Sequence, residues 1–403
     1  VRDCQGIKKD TPDPQGKVTH RNGAVACIIG EGISDERTIL GKFLGGTSML
    51  KGKLGSRVQL LLAASMLTGM LGAGTLMMSQ GASAADVKKI AILTPEDPTD
   101  YGWNQQGVDA AKAVGAKYGI EVVPATGLGY GDVRPTLREL AGDGANLLIA
   151  HASGYNTAAP EIGAETKVPV AIVDRPDANK PGAIADYTLS GHEGAYLAGR
   201  LAAKMTQTGA VGIVVSGEPP SWNSQSAAFA QGVKAENDKV KIIYAVIGPA
   251  AYSDAAGGRR VTETVIGAGA DIIFGQGDGA SFGMLQAVET TKPVKGDKAY
   301  FIDVIGDKTP IDKGNLLSSV VWNLVPVYSA MVEDLKADKF GTHKYEISLK
   351  DDSVQLLHTK HIPDNIWSQI ADLREQIIAG KIKVEPIFDA QKVRALMTSV
   401  DAK

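Results

Sequence analysis

Cysteine is nearly missing from this 403-residue chain: there are two, Cys4 and Cys27, and none follows. Beyond residue 27 that excludes a disulfide framework, a cysteine nucleophile and a thiolate zinc site. Excess charge is lacking as well. Forty-two basic against 45 acidic residues leave a formal charge of -3 and a pI near 6.1. Nothing in that balance attracts nucleic acid or an anionic membrane surface. No HExxH string occurs. His358-Thr359-Lys360-His361 is half a metal site with no partner cluster in sequence, and reads as solvated loop histidines. Gly127-Leu128-Gly129-Tyr130-Gly131 lacks the lysine and hydroxyl of a phosphate loop and reads as a flexible connection.

What the chain does have begins with one apolar run, Leu60 to Leu76. A basic start precedes it (Met49, Lys51, Lys53, Arg57), and Ser79-Gln80-Gly81-Ala82-Ser83-Ala84 follows. This is the pattern of a secretory signal at residues 49–84, cut after Ala84, and residues 1–48 read as an upstream or disordered extension. Export to the periplasm is the expectation. Removing residues 1–84 leaves 32 basic and 39 acidic residues, a mildly acidic product of net charge -7. With 44% hydrophobic residues it is large enough to fold on its core without disulfides.

The remainder is organised around Asp186–Gly217. Apolar residues there recur at helical spacing, from Ala195 through Leu201 to Met205, then change at Gly209 to the continuous apolar run Val211–Val215. Gly194, Ala195, Ala198, Gly199 and Ala202 would let this helix lie close to a neighbour. The same pattern flanks this junction on both sides. Lys89–Leu93 matches Val211–Val215, Gly144–His151 matches Gly269–Gln276, and Pro169–Asp174 matches Tyr300–Ile305. Short apolar strands alternating with helical segments predict an α/β protein of two lobes. Each lobe is a parallel-rich sheet with helices on both faces, and a hinged cleft lies at the carboxyl ends of the strands. The lobes are placed at 85–207 and 208–309, with 310–403 supplying interlobe crossings and completing both. Crossings are expected near Thr206–Gly209, after Asp307 and before the final helices. Lys344–Lys350 reads as a short strand, and Asp364–Ala379 as a helix.

The loops at the strand ends supply the candidate binding residues. Trp103-Asn104 follows the first strand, and Trp222-Asn223 follows the first strand of the second half. An indole offers a flat apolar face, and an amide offers both donor and acceptor. A planar ligand held between aromatic faces from the two lobes is the expectation; packing against the next helix is the plainer role for each tryptophan. Ser153, Gly154 and Tyr155 face the same cleft, with Asp174, whose plainer role is a pair with Arg175. Gly217 belongs with the second-lobe loop. Gly275-Gln276-Gly277-Asp278-Gly279-Ala280 spells a relaxed dinucleotide fingerprint but falls late in its repeat. It reads instead as close backbone approach to a small ligand, with Gln276, Gly277 and Asp278 nearby. Asp303, Asp307 and Trp322 return the chain to the cleft.

Tyr101-Gly102-Trp103-Asn104, Glu193-Gly194-Ala195-Tyr196-Leu197-Ala198-Gly199 and Gly269-Ala270-Asp271-Ile272-Ile273-Phe274 together resemble the basic membrane protein (BMP) family. These are substrate-binding proteins of ABC importers, similar to the purine nucleoside receptors. The resemblance spans Lys88 to about Val384 and implies a type I periplasmic-binding fold and a nucleoside-like ligand. It also implies base stacking by Trp103 and Trp222, polar contacts from Asn104 and Asp174, and a contact at Gly277. The chain departs from the pattern at Ile302–Asp307, and has Trp322 where the family commonly has a sugar-binding lysine. An indole in place of an ammonium favours a flatter or less hydroxylated ligand.

The resulting expectation is a monomeric periplasmic receptor, not an enzyme, with no cofactor, metal or nucleic-acid partner. It would deliver a small planar polar ligand to an ABC permease and its ATPase subunits. A sugar or autoinducer receptor of the same fold is one alternative. Others are an exported nucleoside hydrolase and a ligand-sensing regulator, the last disfavoured by the export signal.

Overall fold

A computed structural model describes residues 86–399. The expected secretory signal at 49–84, the segment before it and both cysteines lie outside those residues.

The first lobe carries β1 (Lys89–Leu93), β2 (Glu121–Ala125), β3 (Leu147–Ala150), β4 (Val170–Ile172) and β5 (Ile184–Asp186). All pairings are parallel, in the order β2-β1-β3-β4-β5. Helices α1 (Trp103–Tyr118), α2 (Arg134–Gly142) and α3 (Ala158–Thr166) make the crossovers. Gly119 ends α1 in the left-handed region at φ 68°, as its place after the helical pattern predicts.

The second lobe begins with α4 (His192–Met205) and β6 (Ala210–Val215). There follow α5 (Pro220–Glu236), β7 (Lys241–Val246), α6 (Ala255–Gly267), β8 (Ile272–Gln276), α7 (Ala280–Thr290), β9 (Tyr300–Ile305) and β10 (Leu316–Trp322). Beyond them come α8 (Val325–Lys336), β11 (Val354–Leu356), α9 (Asp364–Ile378), α10 (Ala390–Arg394) and β12 (Thr398–Ser399). The sheet order is β11-β10-β9-β8-β6-β7-β12, with β11 antiparallel to β10. Its central run, β7-β6-β8-β9-β10, repeats the order of the first sheet, so the sequence repeat is a repeat of topology. Each sheet reverses direction of winding beside its first strand, where ligands of open α/β sheets bind.

Fully buried strands such as Ile90–Leu93 and Val211–Val214 are apolar throughout because helices cover both faces. One core continues through both lobes, from Ile90, Val108 and Leu147 to Leu201, Phe229 and Tyr328; two smaller cores line the outer faces.

The small-residue face of α4 packs against α5. A Cβ at Gly199 would stand 2.1 Å from the Phe229 carbonyl oxygen, and one at Gly232 2.1 Å from that of Tyr196. The two backbones touch, and Glu236 closes the pair by accepting from Lys204 at 2.6 Å and pairing its charge with Arg200 at 2.9 Å.

Although 85–207 was assigned to one lobe on sequence, the sheets divide after β5, and α4 packs on α5, β10, β11 and α9. Conversely, α8 packs on α1 of the first lobe. The chain crosses between β5 and α4, between β10 and α8, and again before β11. Thr206–Gly209 is therefore not a crossing. It turns within the second lobe, where Asp271 accepts from Thr206 Oγ1 at 2.6 Å and from the Gln207 and Thr208 amides. Lys344–Lys350 forms no strand either. Tyr345, Ile347 and Leu349 are buried and alternate with exposed neighbours, so the period is real, but this extended segment has no ladder partner.

Candidate functional site

Between the lobes lies a cavity of about 40 Å³. Trp103, Tyr130, Ser153 and Asp174 line it from the first lobe, and Ser221, Trp222, Tyr252, Asp278 and Trp322 from the second. The two lobes meet around it. The Ser221 amide donates to Asp174 Oδ1 at 3.0 Å, and Lys308 Nζ donates to the Tyr101 carbonyl at 3.2 Å. Ser253 donates to Glu96, and the Tyr130 and Tyr252 rings lie 5.5 Å apart. In this structure the two lobes are shut on one another around the cavity.

Both Trp-Asn pairs sit in the first turn of a helix, Trp103 opening α1 and Trp222 in α5 behind Pro220. Trp222-Asn223 was expected in a loop; Pro220 pre-sets the helical φ and starts the helix earlier. In each pair the indole lines the cavity while the amide serves the fold. Asn104 is buried, and its Nδ2 donates to Asp100 at 2.8 Å. That same carboxylate caps α1 by accepting from the amides of Gly102, Asn104 and Gln105. Asn223 Nδ2 donates to the carbonyls of Glu218 and Phe388.

Trp103 rests on a buried platform. Its ring stacks on His151 at 3.7 Å and 6°, and its Nε1 donates to the His151 carbonyl at 2.9 Å. His151 fits against Gly107 of α1, where a Cβ would come within 2.4 Å of Nε2. With Trp103 O 2.9 Å from Nε2 and the hydroxyls of Tyr187 and Tyr328 at 2.8 and 2.9 Å from Nδ1, the neutral Nε2–H tautomer satisfies both nitrogens. Burial holds its pKa down to about 3.

A group whose pKa is lowered on folding stabilises fully above its unfolded value, and that stability is lost as pH falls toward the folded one. The unfolded chain takes up this proton near the ordinary value of 6.5. The stability advantage of the wild type over His151→Gln is therefore expected to shrink by roughly 2–3 kcal/mol between pH 7 and pH 4.5. Denaturant melts across that range measure it. A difference that stays constant with pH would contradict the neutral assignment.

Asp174 ends its strand at φ 61°, a left-handed conformation that Asp tolerates. It makes no ion pair with Arg175, whose guanidinium reaches toward Asn156 O and whose amide donates to Asp186. Desolvation raises the Asp174 pKa to about 6. The Asp278 carboxyl is held well above the usual carboxylate range, first by desolvation and then by the nearby carboxylates of Asp100 and Glu96.

The other expected residues lie behind or beside the lining. Tyr155 donates to Gly129 O at 2.6 Å, and Gln276 to Ser226 at 2.6 Å. Gly154 and Gly217 back the cavity tyrosines: added Cβ atoms would stand 3.4 Å from Tyr130 and 3.0 Å from the Tyr252 hydroxyl. Gly277 packs on Met284 and Ala280. Asp303 is buried in an ion pair with Lys308 at 2.6 Å. Asp307 is exposed and caps the turn at Thr309. Gly279-Ala280-Ser281-Phe282-Gly283 has the spelling of a hydrolase nucleophile elbow, but Ser281 is buried within α7 and donates to Asp278 O at 2.7 Å.

Tyr130, Tyr252 and Ser221 were not read as lining residues. Tyr130 follows β2 and Tyr252 follows β7, the second strand of each lobe. Extending the repeat from the tryptophan loops to the next pair of loops would have found both.

Two topologically equivalent α/β lobes meeting over an aromatic cavity make the two-lobe architecture of the periplasmic-binding-protein fold. The chain belongs to the Bmp family, described as ABC transporter substrate-binding protein PnrA-like, whose model matches residues 87–387. Basic membrane protein A1 of Borrelia garinii subsp. bavariensis is 25% identical over 76% of this chain and 90% of its own. A purine-binding protein of Brucella abortus is 24% identical over 76% and 85%. Among solved structures, an ABC solute-binding protein of Aeropyrum pernix has a TM-score of 0.65 at 17% identity, covering 76% of this chain and 96% of that one. These likenesses bear out the two-lobe fold and the BMP resemblance.

Proposed function

We propose that this protein is the exported, monomeric receptor of an ABC importer. It captures a small planar polar ligand, a nucleoside, nucleobase or related heteroaromatic compound, and delivers it to the permease. One observation carries the reading: Trp103 and Trp222, from the equivalent first crossover of each lobe, line a single interlobe cavity. Aromatic faces supply affinity for a flat guest, and the few polar groups between them select its hydrogen-bonding pattern. The purine-binding relative in Brucella abortus supports the ligand class. The family resemblance puts Trp322 where a sugar-binding lysine is common. Its Nε1 is buried without an acceptor and packs against Gly191, where a Cβ would come within 2.5 Å. An indole packed in this way supports a base over a ribose as the main recognition element.

A thermal-shift screen over nucleobases, nucleosides, flavins and sugars tests this. A ligand present at a hundred times its dissociation constant adds about 2.7 kcal/mol. Trp222→Ala is expected to remove most of that shift, measured against the variant's own unliganded melting temperature, which falls because the indole is buried against Tyr252. A full shift in the variant would refute stacking. Recovery of free base and ribose from a bound nucleoside would identify an enzyme instead.

A further inference from the structure

The lining of the cavity is unusual in its charge. Five aromatic rings (Trp103, Trp222, Trp322, Tyr130 and Tyr252) surround it together with two carboxyl side chains, Asp174 and Asp278, and no lysine, arginine or histidine lines it. Asp174 receives the Ser221 amide. Asp278 is buried, and among the described residues its side-chain carboxyl has no hydrogen-bond donor. The charged groups that act on it are Asp100, Glu96 and Asp303, all acidic, and one cation, Lys308, and the Tyr130 and Tyr252 phenols also feel it. Lys308 is already engaged, donating to Asp303 at 2.6 Å and to the Tyr101 carbonyl at 3.2 Å. A desolvated carboxylate among like charges must either hold a proton or meet a counter-ion. Aromatic faces attract cations through their quadrupoles, more strongly when water is excluded.

We propose that the ligand is a planar organic cation, a ring-protonated or N-alkylated heteroaromatic compound, and that Asp278 is its counter-ion within the aromatic cavity. This rests on the receptor reading and narrows it. The charge of the guest, beyond its shape, then decides what the lobes close on, and neutral bases of the same outline bind more weakly.

The test compares isosteric pairs by calorimetry at pH 7.5: 1-methyladenosine against adenosine, and the 1-methylnicotinamide cation against nicotinamide. In each pair the cation is expected to bind at least about tenfold more tightly. Asp278→Asn should bring the two members within about twofold, because the amide keeps the shape of the carboxyl and cannot carry its charge. In the wild type the preference should also fade as pH drops and Asp278 takes up a proton, with Glu96, Asp100, Asp174, Asp303, Lys308 and the phenols of Tyr130 and Tyr252 as the other titratable or charged groups around it. Equal affinity for the neutral members, or an unchanged ratio in Asp278→Asn, overturns the charge assignment and leaves the planar-ligand receptor standing. Binding of a sugar with no response to either pair overturns both.

Discussion

Gly306→Ala is expected to hold the cleft open. Gly306 follows β9 in the second lobe and meets the loop before α1 in the first, backbone against backbone. A Cβ there would stand 1.8 Å from the Tyr101 carbonyl oxygen and 2.4 Å from its carbon. Neither atom belongs to a side chain that can rotate away. The cheapest relief is separation of the lobes, which would also break the Lys308 contact to the same carbonyl. A ligand that binds the closed form must then work against a population shifted to the open one, and its apparent affinity falls in proportion. A loss of tenfold or more is the rough expectation, with a stability change under about 1 kcal/mol because neither lobe core is disturbed. Small-angle scattering with and without ligand measures closure, and calorimetry the affinity. An unchanged dissociation constant would show that the closed geometry at Tyr101 and Gly306 is not the binding-competent one.

The second large effect concerns stability. Exchanging glycine for alanine inside a helix ordinarily stabilises by up to about 1 kcal/mol, since the unfolded chain loses freedom. At Gly199 the sign is expected to reverse. The added methyl would lie 2.1 Å from Phe229 O and 3.0 Å from the Val233 amide nitrogen, so α4 and α5 must move apart along their whole contact. Overpacking of this kind costs on the order of 3 kcal/mol, seen as a fall of several degrees in melting temperature. Gly267→Ala, at the end of α6 with open space around its Cα, is the control and should be neutral or mildly stabilising. Equal melting temperatures for the two variants would mean that the helices can slide without loss.

These two glycines differ in how readable they were. Gly199 belongs to a run of small residues at helical spacing, and the inference that its helix lies against a neighbour needed only that period. Gly306 carried no such mark, because its constraint comes from a carbonyl about 200 residues earlier in the chain. The tryptophans divide the same way. Trp103 and Trp222 were legible through the repeat, since equivalent loops of equivalent lobes must face one another once both sheets point their strand ends at the cleft. The roles of their neighbours were not. Asn104 and Asn223 looked like ligand-binding amides, yet their donors are taken up by Asp100 and by the Glu218 and Phe388 carbonyls.

Local pattern by itself determined the strands, the helices, their alternation and the doubling of the whole unit, because apolar period and the placement of Gly and Pro act over a few residues. Only the tertiary structure decided the rest. It moved α4 into the second lobe and α8 onto the first, and it set Tyr130 against Tyr252. It also paired Lys308 with Asp303 and left Asp278 without a donor. Each of those outcomes depends on which distant groups arrive at the same point. Burial and unsatisfied charge are properties of that meeting, and no single stretch of the chain contains them.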